Sequence, residues 1–418
     1  MTFTWFIFII QALFASIFLT SFNVGSIPIL IVAITSLFYL FDLSRHDYSK
    51  NLFLILFLSY LIRLFFLFFD LYGREIFILP NSGLDSEMFH EAAIQGLMSG
   101  DFGRGHIYSY FISIMYSFFG NERIISQYFN VLLSMHAILL VYKTMDLYKI
   151  NDKAKNVAIT FIALFPNFAI LSSILLRESI IIFLYVLSFY CFTKYLMENN
   201  VALLLGSYAA GLLVSVFHSG SIFLVVAYTV FLILYDQQTG QFNLKMKSIL
   251  LSMSFAFLFL FLFQNYYDVF FSKFSNIEEV GDVIDIYVMG ESGYSTGFAI
   301  GNPILNFVVN TPLRMFYFIF SPLPWDWRGV TDVLAFFLSS LFYGYTLYLG
   351  FRSLFIRNIP NKNIVFTVLL IIGVGLFVFA WGVSNAGTAL RHRDKFVGLF
   401  TVLLALVINT REQGSERI

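Results

Sequence analysis

Long apolar runs recur along the chain and constrain its fold more than any other feature. Most are close to 20 residues long, the length that a helix needs to cross a bilayer. They lie at roughly 3–21, 24–41, 51–69, 107–120, 125–142, 156–172, 179–197, 201–216, 220–235, 248–264, 303–321, 332–351, 363–382 and 396–409. Backbone groups in lipid have no water to bond with, so such spans must be helical. The sequence therefore predicts an all-α fold, a polytopic transmembrane helical bundle.

The composition excludes a soluble fold. Of the 418 residues, 59% are hydrophobic and 12% are charged, whereas soluble domains carry about 25% charged residues. We find no internal repeat and no appended soluble domain, so the chain is predicted to form a single transmembrane domain over residues 1–418. The formal net charge is zero, which argues against nucleic acid as a partner.

The distribution of positive charge predicts the orientation, because short cytoplasmic loops collect lysine and arginine. Polar residues interrupt the runs at 107–120 and 303–321, which are predicted to lie along the interface or to re-enter. About 12 spans remain, both termini are then cytoplasmic, and nearly all lysines face inward. Two long loops, residues 70–124 and 265–331, fall on the extracytoplasmic face.

Arginine also gathers on that outer face, which the orientation rule does not explain. Arginine in such places suggests bidentate binding of carboxylate or phosphate, although ordinary surface ion pairing explains any single one equally well. The outer arginines are Arg74, Arg104, Arg123, Arg177, Arg314, Arg328, Arg391 and Arg393.

The stretch SGLDSEMFHEAA, residues 82–93, places Asp85, Glu87 and Glu91 in one short segment of the first outer loop. A helix from Gly83 to Gly96 puts Asp85 on the apolar face and turns the two glutamates away. A carboxylate on that face is partly desolvated, which suits a general base. The alternative is that Asp85 only caps the start of the helix.

No metal site is predicted from this stretch, because one Asp-x-Glu pattern is too little to hold a cation. His90 is predicted to be a solvated neighbour of the acids and not a metal ligand. A divalent cation stays open as a cofactor, and the sequence predicts no other.

The loop around this stretch resembles the first large loop of the GT-C superfamily of membrane glycosyltransferases. The superfamily pattern Asp-x-x-x-(Tyr/Phe)-x-x-x-Ala is matched by Asp85, Phe89 and Ala93. A phenylalanine–glycine turn at 119–120 and a span containing Asn130 follow, as in the superfamily. The resemblance extends over roughly residues 50–200.

The resemblance implies an inverting glycosyltransferase that works on the outer face of the membrane. Its donor would be a sugar on a polyprenyl phosphate or diphosphate. Asp85 would activate the acceptor hydroxyl group. A second acidic residue often helps in the superfamily, and here it would be Glu87, Glu178 or neither.

Arg177 and Glu178 lie within the apolar stretch 156–197, and an arginine at the centre of a membrane costs roughly 2.5–3.5 kcal/mol. If the hairpin turns at residues 172–173, the pair lies just inside the outer surface. Adjacent helical residues point in different directions, so we expect Arg177 to face the site and bind the donor phosphate. Arg63 is similarly deep and is predicted to snorkel outward.

A second basic cluster, Arg391, His392 and Arg393, lies in the segment SNAGTALRHRDKF. A basic outer cluster beside a hydrophobic span suits a lipid-linked diphosphate, because the charges bind the head group and the span meets the lipid tail. The cluster is therefore predicted to bind the donor together with Arg177. The alternative is a topology shifted by one span, which makes the cluster a cytoplasmic anchor.

The loop SPLPWDWRGVTD supplies candidate sugar contacts, because tryptophan faces stack on sugars and a neighbouring carboxylate bonds hydroxyl groups. The candidates are Trp325, Asp326, Trp327 and Arg328. Tryptophan at a membrane interface is also common for anchoring alone, which is the alternative for this loop.

These features predict a glycosyltransferase of a bacterial-type inner membrane that acts in surface-polysaccharide synthesis, such as O-antigen assembly. Its partners would be a polyprenyl-linked sugar donor, a glycan or lipid-linked acceptor and the bilayer. One alternative is a repeat-unit polysaccharide polymerase, which needs the same arginines and a wider cleft. The other is a flippase or transporter, which predicts charges at the membrane midplane and internal repeats.

The orientation is tested by cysteine labelling from the periplasm, with Cys191 replaced by serine. Cysteines at positions 85 and 391 are expected to react with a membrane-impermeant maleimide, and cysteines in the 143–155 turn are expected to be protected. Protection at 85 and 391 together with labelling of the turn would contradict the predicted sidedness.

Overall fold

A computed structural model of the protein describes residues 2–18, 27–46, 48–102, 106–236, 241–242, 246, 250, 254, 293, 298, 303–355, 362–383 and 385–415. The predicted span at 248–264 and the first part of the second long loop, residues 265–302, lie almost entirely outside the described residues. Arg104 also lies outside them.

The chain divides into two compact units. The first comprises Met1–Leu140 and Ile159–Phe183, and the second comprises Val141–Ala158 and Leu184–Ile418. The helices that lie wholly or partly in the first unit are α1 (Thr2–Phe18), α2 (Ile27–Arg45), α3 (Lys50–Tyr72), α4 (Leu84–Ser99), α5 (His106–Phe119), α6 (Arg123–Leu147), α7 (Asp152–Leu164), α8 (Pro166–Leu171) and α9 (Glu178–Glu198).

The second unit adds a further set of helices and one short strand pair. The further helices in its described part are α10 (Val201–Phe217), α11 (Phe223–Leu234), α12 (Pro303–Phe320), α13 (Val330–Ala335), α14 (Leu341–Phe355), α15 (Lys362–Trp381), α16 (Ala386–Asp394) and α17 (Val397–Ser415). Strands Tyr235–Asp236 and Gln241–Phe242 pair antiparallel. Within this unit, α15 packs against α11, α12, α14 and α17.

The prediction of an all-α polytopic membrane protein is confirmed. Six helical segments in the described part of the chain are long and apolar enough to cross a membrane, and shorter apolar helices accompany them. The six are Ile27–Arg45, Lys50–Tyr72, Arg123–Leu147, Glu178–Glu198, Val330–Phe355 and Lys362–Trp381. The count of about 12 spans and the position of the termini stay predictions.

The run at 303–321 forms one helix although polar residues interrupt its apolar sequence, and its predicted interfacial or re-entrant position stays a prediction. Pro303–Phe320 is one helix with Pro312 inside it. Asn306 and Asn310 are buried and bonded to each other, so the polar side chains satisfy one another within the helix.

The expectation that Arg63 snorkels outward is wrong, because its side chain is fully buried. Helix α7 ends at Leu164 because Pro166 has no N–H group to continue the hydrogen-bond ladder. Arg63 Nη1 donates to the carbonyl oxygen of Ala163 in that last turn at 2.8 Å, and its Nε donates to Ser134 Oγ at 3.0 Å. The guanidinium group is therefore held inside the first unit by a helix end that needs donors.

Helix α4 runs one turn further than predicted. It continues through Gly96 to Ser99 and is closed by Gly100, which adopts the left-handed conformation at φ 76°. Position 96 has room only for glycine because the ring of Phe102 packs directly on it. A side-chain carbon at position 96 would lie only 2.1 Å from that ring.

Candidate active site

Asp85 and Glu87 lie in the first turn of α4, where the helix dipole favours carboxylate groups. Phe89 and Ala93 are buried, and Asp85 is half-buried. Phe89 packs edge-on against the ring of Tyr108, with ring centroids 4.9 Å apart. The predicted apolar face of the helix is therefore confirmed for these residues, and it packs along α5.

Glu87 does not point into open solvent, as the helical pattern suggested, because two arginines bind it. Arg123 Nη1 and Nη2 donate to Glu87 Oε1 and Oε2, each at 2.9 Å, which is the bidentate geometry. Arg74 Nη1 donates to the same Oε1. Partial burial opposes the charge of Glu87, but the hydrogen bonds from Arg123 and Arg74 outweigh burial and lower its pKa.

Asp70 is part of this arrangement, and our sequence reasoning missed it. Its carboxylate is fully buried at the end of α3. Gln127 Nε2 donates to Asp70 Oδ2 at 2.6 Å, Ser82 Oγ donates to Oδ1, and Arg74 pairs with the carboxylate at 3.3 Å. The available signal was an acid inside an apolar run with an arginine four residues later, a spacing that favours an ion pair.

His90 is not simply a solvated neighbour, because its Nδ1 bonds to Tyr116 Oη at 2.7 Å. Burial and the nearby charge of Arg123 lower the pKa of His90. In the part of the chain that the structure describes, no three His, Cys, Asp or Glu side chains come close enough to hold a metal ion.

The break between α8 and α9 presents Arg177, and it lies where the hairpin turn was predicted. Helix α8 ends at Leu171 and α9 begins at Glu178. Asn130 Nδ2 donates to the carbonyl oxygens of Ile174 and Leu176, each at 2.9 Å, and so fixes the connecting segment. The asparagine that carried part of the resemblance thus holds the turn before Arg177.

Arg177 reaches α4 from this turn. Its guanidinium carbon lies 6.0 Å from the centroid of the Phe89 ring, and Phe89 is one helical turn beyond Asp85, on the same face. The first unit therefore brings Arg177 and the acidic turn to one helix. Glu178 is buried in the first turn of α9.

The basic cluster of the second unit divides into two parts. Arg391 and His392 are half-buried, and the His392 ring meets the rings of His218 and Phe379 edge-on, with centroids 4.8 Å and 5.2 Å away. Lys395 lies over the Phe379 ring, with its Nζ 5.3 Å from the ring centroid. Sequence reasoning missed His218, which lies far from the cluster along the chain.

Arg393, in contrast, is fully buried and caps the end of α12. Its Nη1 donates to backbone carbonyl oxygens there, and its Nη2 donates to two serine hydroxyl groups. The acceptors are Phe318 O at 3.0 Å, Ile319 O, Ser321 O at 3.1 Å, Ser339 Oγ at 3.0 Å and Ser340 Oγ at 3.1 Å. Pro322 has no N–H group for the carbonyl of Phe318, so the guanidinium group takes its place. Donor binding by Arg393 stays a prediction.

The four candidate sugar contacts of the second unit have separate surroundings. Trp325 is 68% exposed, whereas the Trp327 ring packs on the rings of Phe336 and Phe337 and its Nε1 donates to a backbone carbonyl. Arg328 Nε and Nη2 donate to the two carboxylate oxygens of Asp332 at 3.0 Å and 3.1 Å. Asp326 is half-buried, and burial raises its pKa although Arg328 opposes the shift. Their contact with sugar stays a prediction.

Fold and site together define a multi-pass membrane protein whose charged side chains gather at helix ends. Residues 92–277, less than half of the chain, match the family described as dolichyl-phosphate-mannose-protein mannosyltransferase. No curated protein and no solved structure matches the chain significantly. That family consists of inverting GT-C glycosyltransferases, which confirms the predicted recognition of a GT-C membrane glycosyltransferase; the O-antigen or capsule part of that recognition stays a prediction. Arg177 lies inside the matched range, whereas Asp85 precedes it.

The two arginines of α16 are expected to respond differently to replacement by methionine. Arg393→Met leaves buried carbonyl groups without a donor, which costs about 1–3 kcal/mol per group, so its unfolding temperature is expected to fall. Arg391→Met removes a half-buried charge and is expected to stay close to the wild type. Thermal unfolding of the purified full-length variants in detergent measures both, and equal stability of the two variants would contradict the capping role.

Acid is expected to destabilise the fold through His90. Because the pKa of His90 is lowered from 6.5, the unfolded chain takes up a proton below that pH that the folded chain resists, and stability falls as the pH drops. His90→Gln cannot be protonated and is expected to lose this part of the pH dependence. His46→Gln, an exposed histidine, is the control. Thermal unfolding between about pH 8 and about pH 5 measures the effect, and identical pH dependence of His90→Gln and wild type would refute it.

Proposed function

We propose that this glycosyltransferase takes its sugar from a polyprenyl-phosphate-linked or polyprenyl-diphosphate-linked donor. The transfer goes to a glycan or lipid-linked acceptor on the extracytoplasmic face of a bacterial-type inner membrane, during surface-polysaccharide synthesis. The observation that carries the proposal is the convergence of Asp85 and Arg177 on one face of α4. The description of the matched family names a sugar on a polyprenyl-type phosphate, dolichyl-phosphate mannose, and this supports the donor class.

Asp85 acts as the general base of the reaction. It accepts the proton of the acceptor hydroxyl group while that oxygen attacks the anomeric carbon of the donor sugar. The bond from the anomeric carbon to the phosphate oxygen breaks, and the lipid phosphate leaves with the bonding electrons. Attack from the face opposite the leaving group inverts the anomeric centre.

Arg177 stabilises the charge that grows on the leaving phosphate. Guanidinium groups match phosphate oxygens with two parallel hydrogen bonds, and charge placed in advance at the leaving group lowers the barrier. The position of the Phe89 ring beside the Arg177 guanidinium group supports this role, because an aromatic face orients a guanidinium group. Arg391 and His392 stay predicted donor contacts of the second unit.

A transfer assay on the purified full-length protein in nanodiscs tests the proposal. The donors are a radiolabelled monosaccharide on undecaprenyl phosphate and a radiolabelled repeat unit on undecaprenyl diphosphate, with the host's membrane glycan fraction as acceptor. We expect transfer from the monosaccharide lipid. Transfer from the repeat-unit lipid alone would identify a polymerase, and movement of lipid across the membrane without transfer would identify a flippase.

Asp85→Asn is expected to lower the transfer rate by about 10²- to 10⁴-fold, the contribution of a positioned general base. The amide keeps the size of the side chain and cannot accept the proton. Glu91→Gln, an exposed acid on the same helix, is the matched control and is expected to keep wild-type activity. Wild-type activity of Asp85→Asn at equal protein level would remove Asp85 from the reaction.

A further inference from the structure

The Glu87 carboxylate is bound by two arginine side chains. Arg123 engages both of its oxygens, and Arg74 shares one of them. Arg123 Nη2 also donates to the backbone carbonyl oxygen of Ser86 at 3.3 Å. The backbone and the side chain of the α4 first turn are therefore both bound by one guanidinium group.

The partners of Glu87 are themselves anchored. Arg74 Nε donates to the backbone carbonyl oxygen of Asp70 at 2.7 Å, and the buried Asp70 carboxylate receives Gln127 Nε2 at 2.6 Å. Arg123 is the first residue of α6. We call Asp70, Arg74, Glu87 and Arg123 the acidic-turn clamp. It joins the end of α3, the start of α4 and the start of α6.

We infer that Glu87 is a positioning residue for the transfer reaction, and that the acidic-turn clamp fixes where Asp85 stands. The inference rests on the proposed function, in which Asp85 is the base. Residues 85 and 87 share one helical turn, so a shift of Glu87 moves Asp85 with it. An error of about 1 Å in the position of a catalytic group can cost about 100-fold in rate.

The clamp also argues against Glu87 as a second proton acceptor. A carboxylate bound by two guanidinium groups is stabilised in its charged form, which makes it a weak base. One of its oxygens would have to release an arginine N–H group and accept the proton during each turnover. The ion pairs instead leave Glu87 a constant charge that orients the start of α4.

The experiment compares Glu87→Gln, Arg123→Lys and their double variant with Glu91→Gln as control. The full-length enzyme in nanodiscs is assayed with undecaprenyl-phosphate mannose, radiolabelled in the sugar, and the host's membrane glycan fraction. We expect kcat to fall by about 10- to 100-fold in both single variants, with KM for the donor unchanged. The double variant is expected to be no slower than the slower single variant, because both changes break the same unit.

The pH profile separates positioning from proton transfer. If Glu87 only positions Asp85, its replacement lowers kcat at every pH. The fall of activity at low pH, which reports protonation of the general base, then stays in the profile. Loss of that fall in Glu87→Gln, with wild-type activity in Arg123→Lys, would assign proton transfer to Glu87 and overturn the inference. Wild-type kcat in both variants would overturn it as well. Arg123→Lys retains the charge, so it keeps the test open if Glu87→Gln does not fold.

Asp85→Asn in the same assay separates the two proposals. If Asp85→Asn is inactive while both clamp variants turn over at the wild-type rate, the clamp inference fails and the proposed function stands. If Asp85→Asn is active, the proposed base fails, whatever the clamp variants do.

Discussion

Carbonyl groups at helix ends inside an apolar interior need hydrogen-bond donors, and much of this structure depends on how they are supplied. In the first unit, Arg63 donates to the carbonyl of Ala163 at the end of α7. In the second unit, Arg393 donates to the carbonyls that end α12. In both cases a proline just beyond the helix end removes one backbone donor from the last turn. A buried guanidinium group supplies several donors at once. Leaving these carbonyl groups without a donor would be costly, because lipid offers no water to bond with them.

The sequence predicted most of what local patterns control. Apolar run lengths gave the helical membrane fold, and the acidic stretch gave the helix at Asp85 and its buried face. The partners of the arginines were not predictable, because they come from distant parts of the chain. Arg63 and Ala163 are separated by 100 residues, and Glu87 and Arg123 by 36. Local sequence periodicity does not indicate such a pairing. Arg63, which was expected to snorkel outward, is for this reason found as a buried helix cap.

The two carboxylates at the start of α4 differ in their surroundings, and under the proposed function this difference supports separate roles for them. Spacing alone turned Glu87 toward solvent and left it open as a second acid. Its pairing with Arg74 and Arg123 keeps it charged, whereas Asp85 stands on the side of the helix that carries Phe89, the ring beneath Arg177. The two acids therefore have different neighbours although they share one helical turn.

Arg391 and Arg393 of α16 are only two residues apart and also differ in their surroundings. Arg393 is committed to backbone carbonyls and serine hydroxyl groups, so releasing it to a phosphate would leave the end of α12 without donors. Arg391 is half-buried and lies on a different side of the helix, since two residues turn the chain by more than half a circle. Of the predicted donor contacts in this cluster, Arg391 and His392 are therefore the ones not needed for that helix end. The bonds of Arg393 to the carbonyls of Phe318 and Ser321 keep the end of α12 in place.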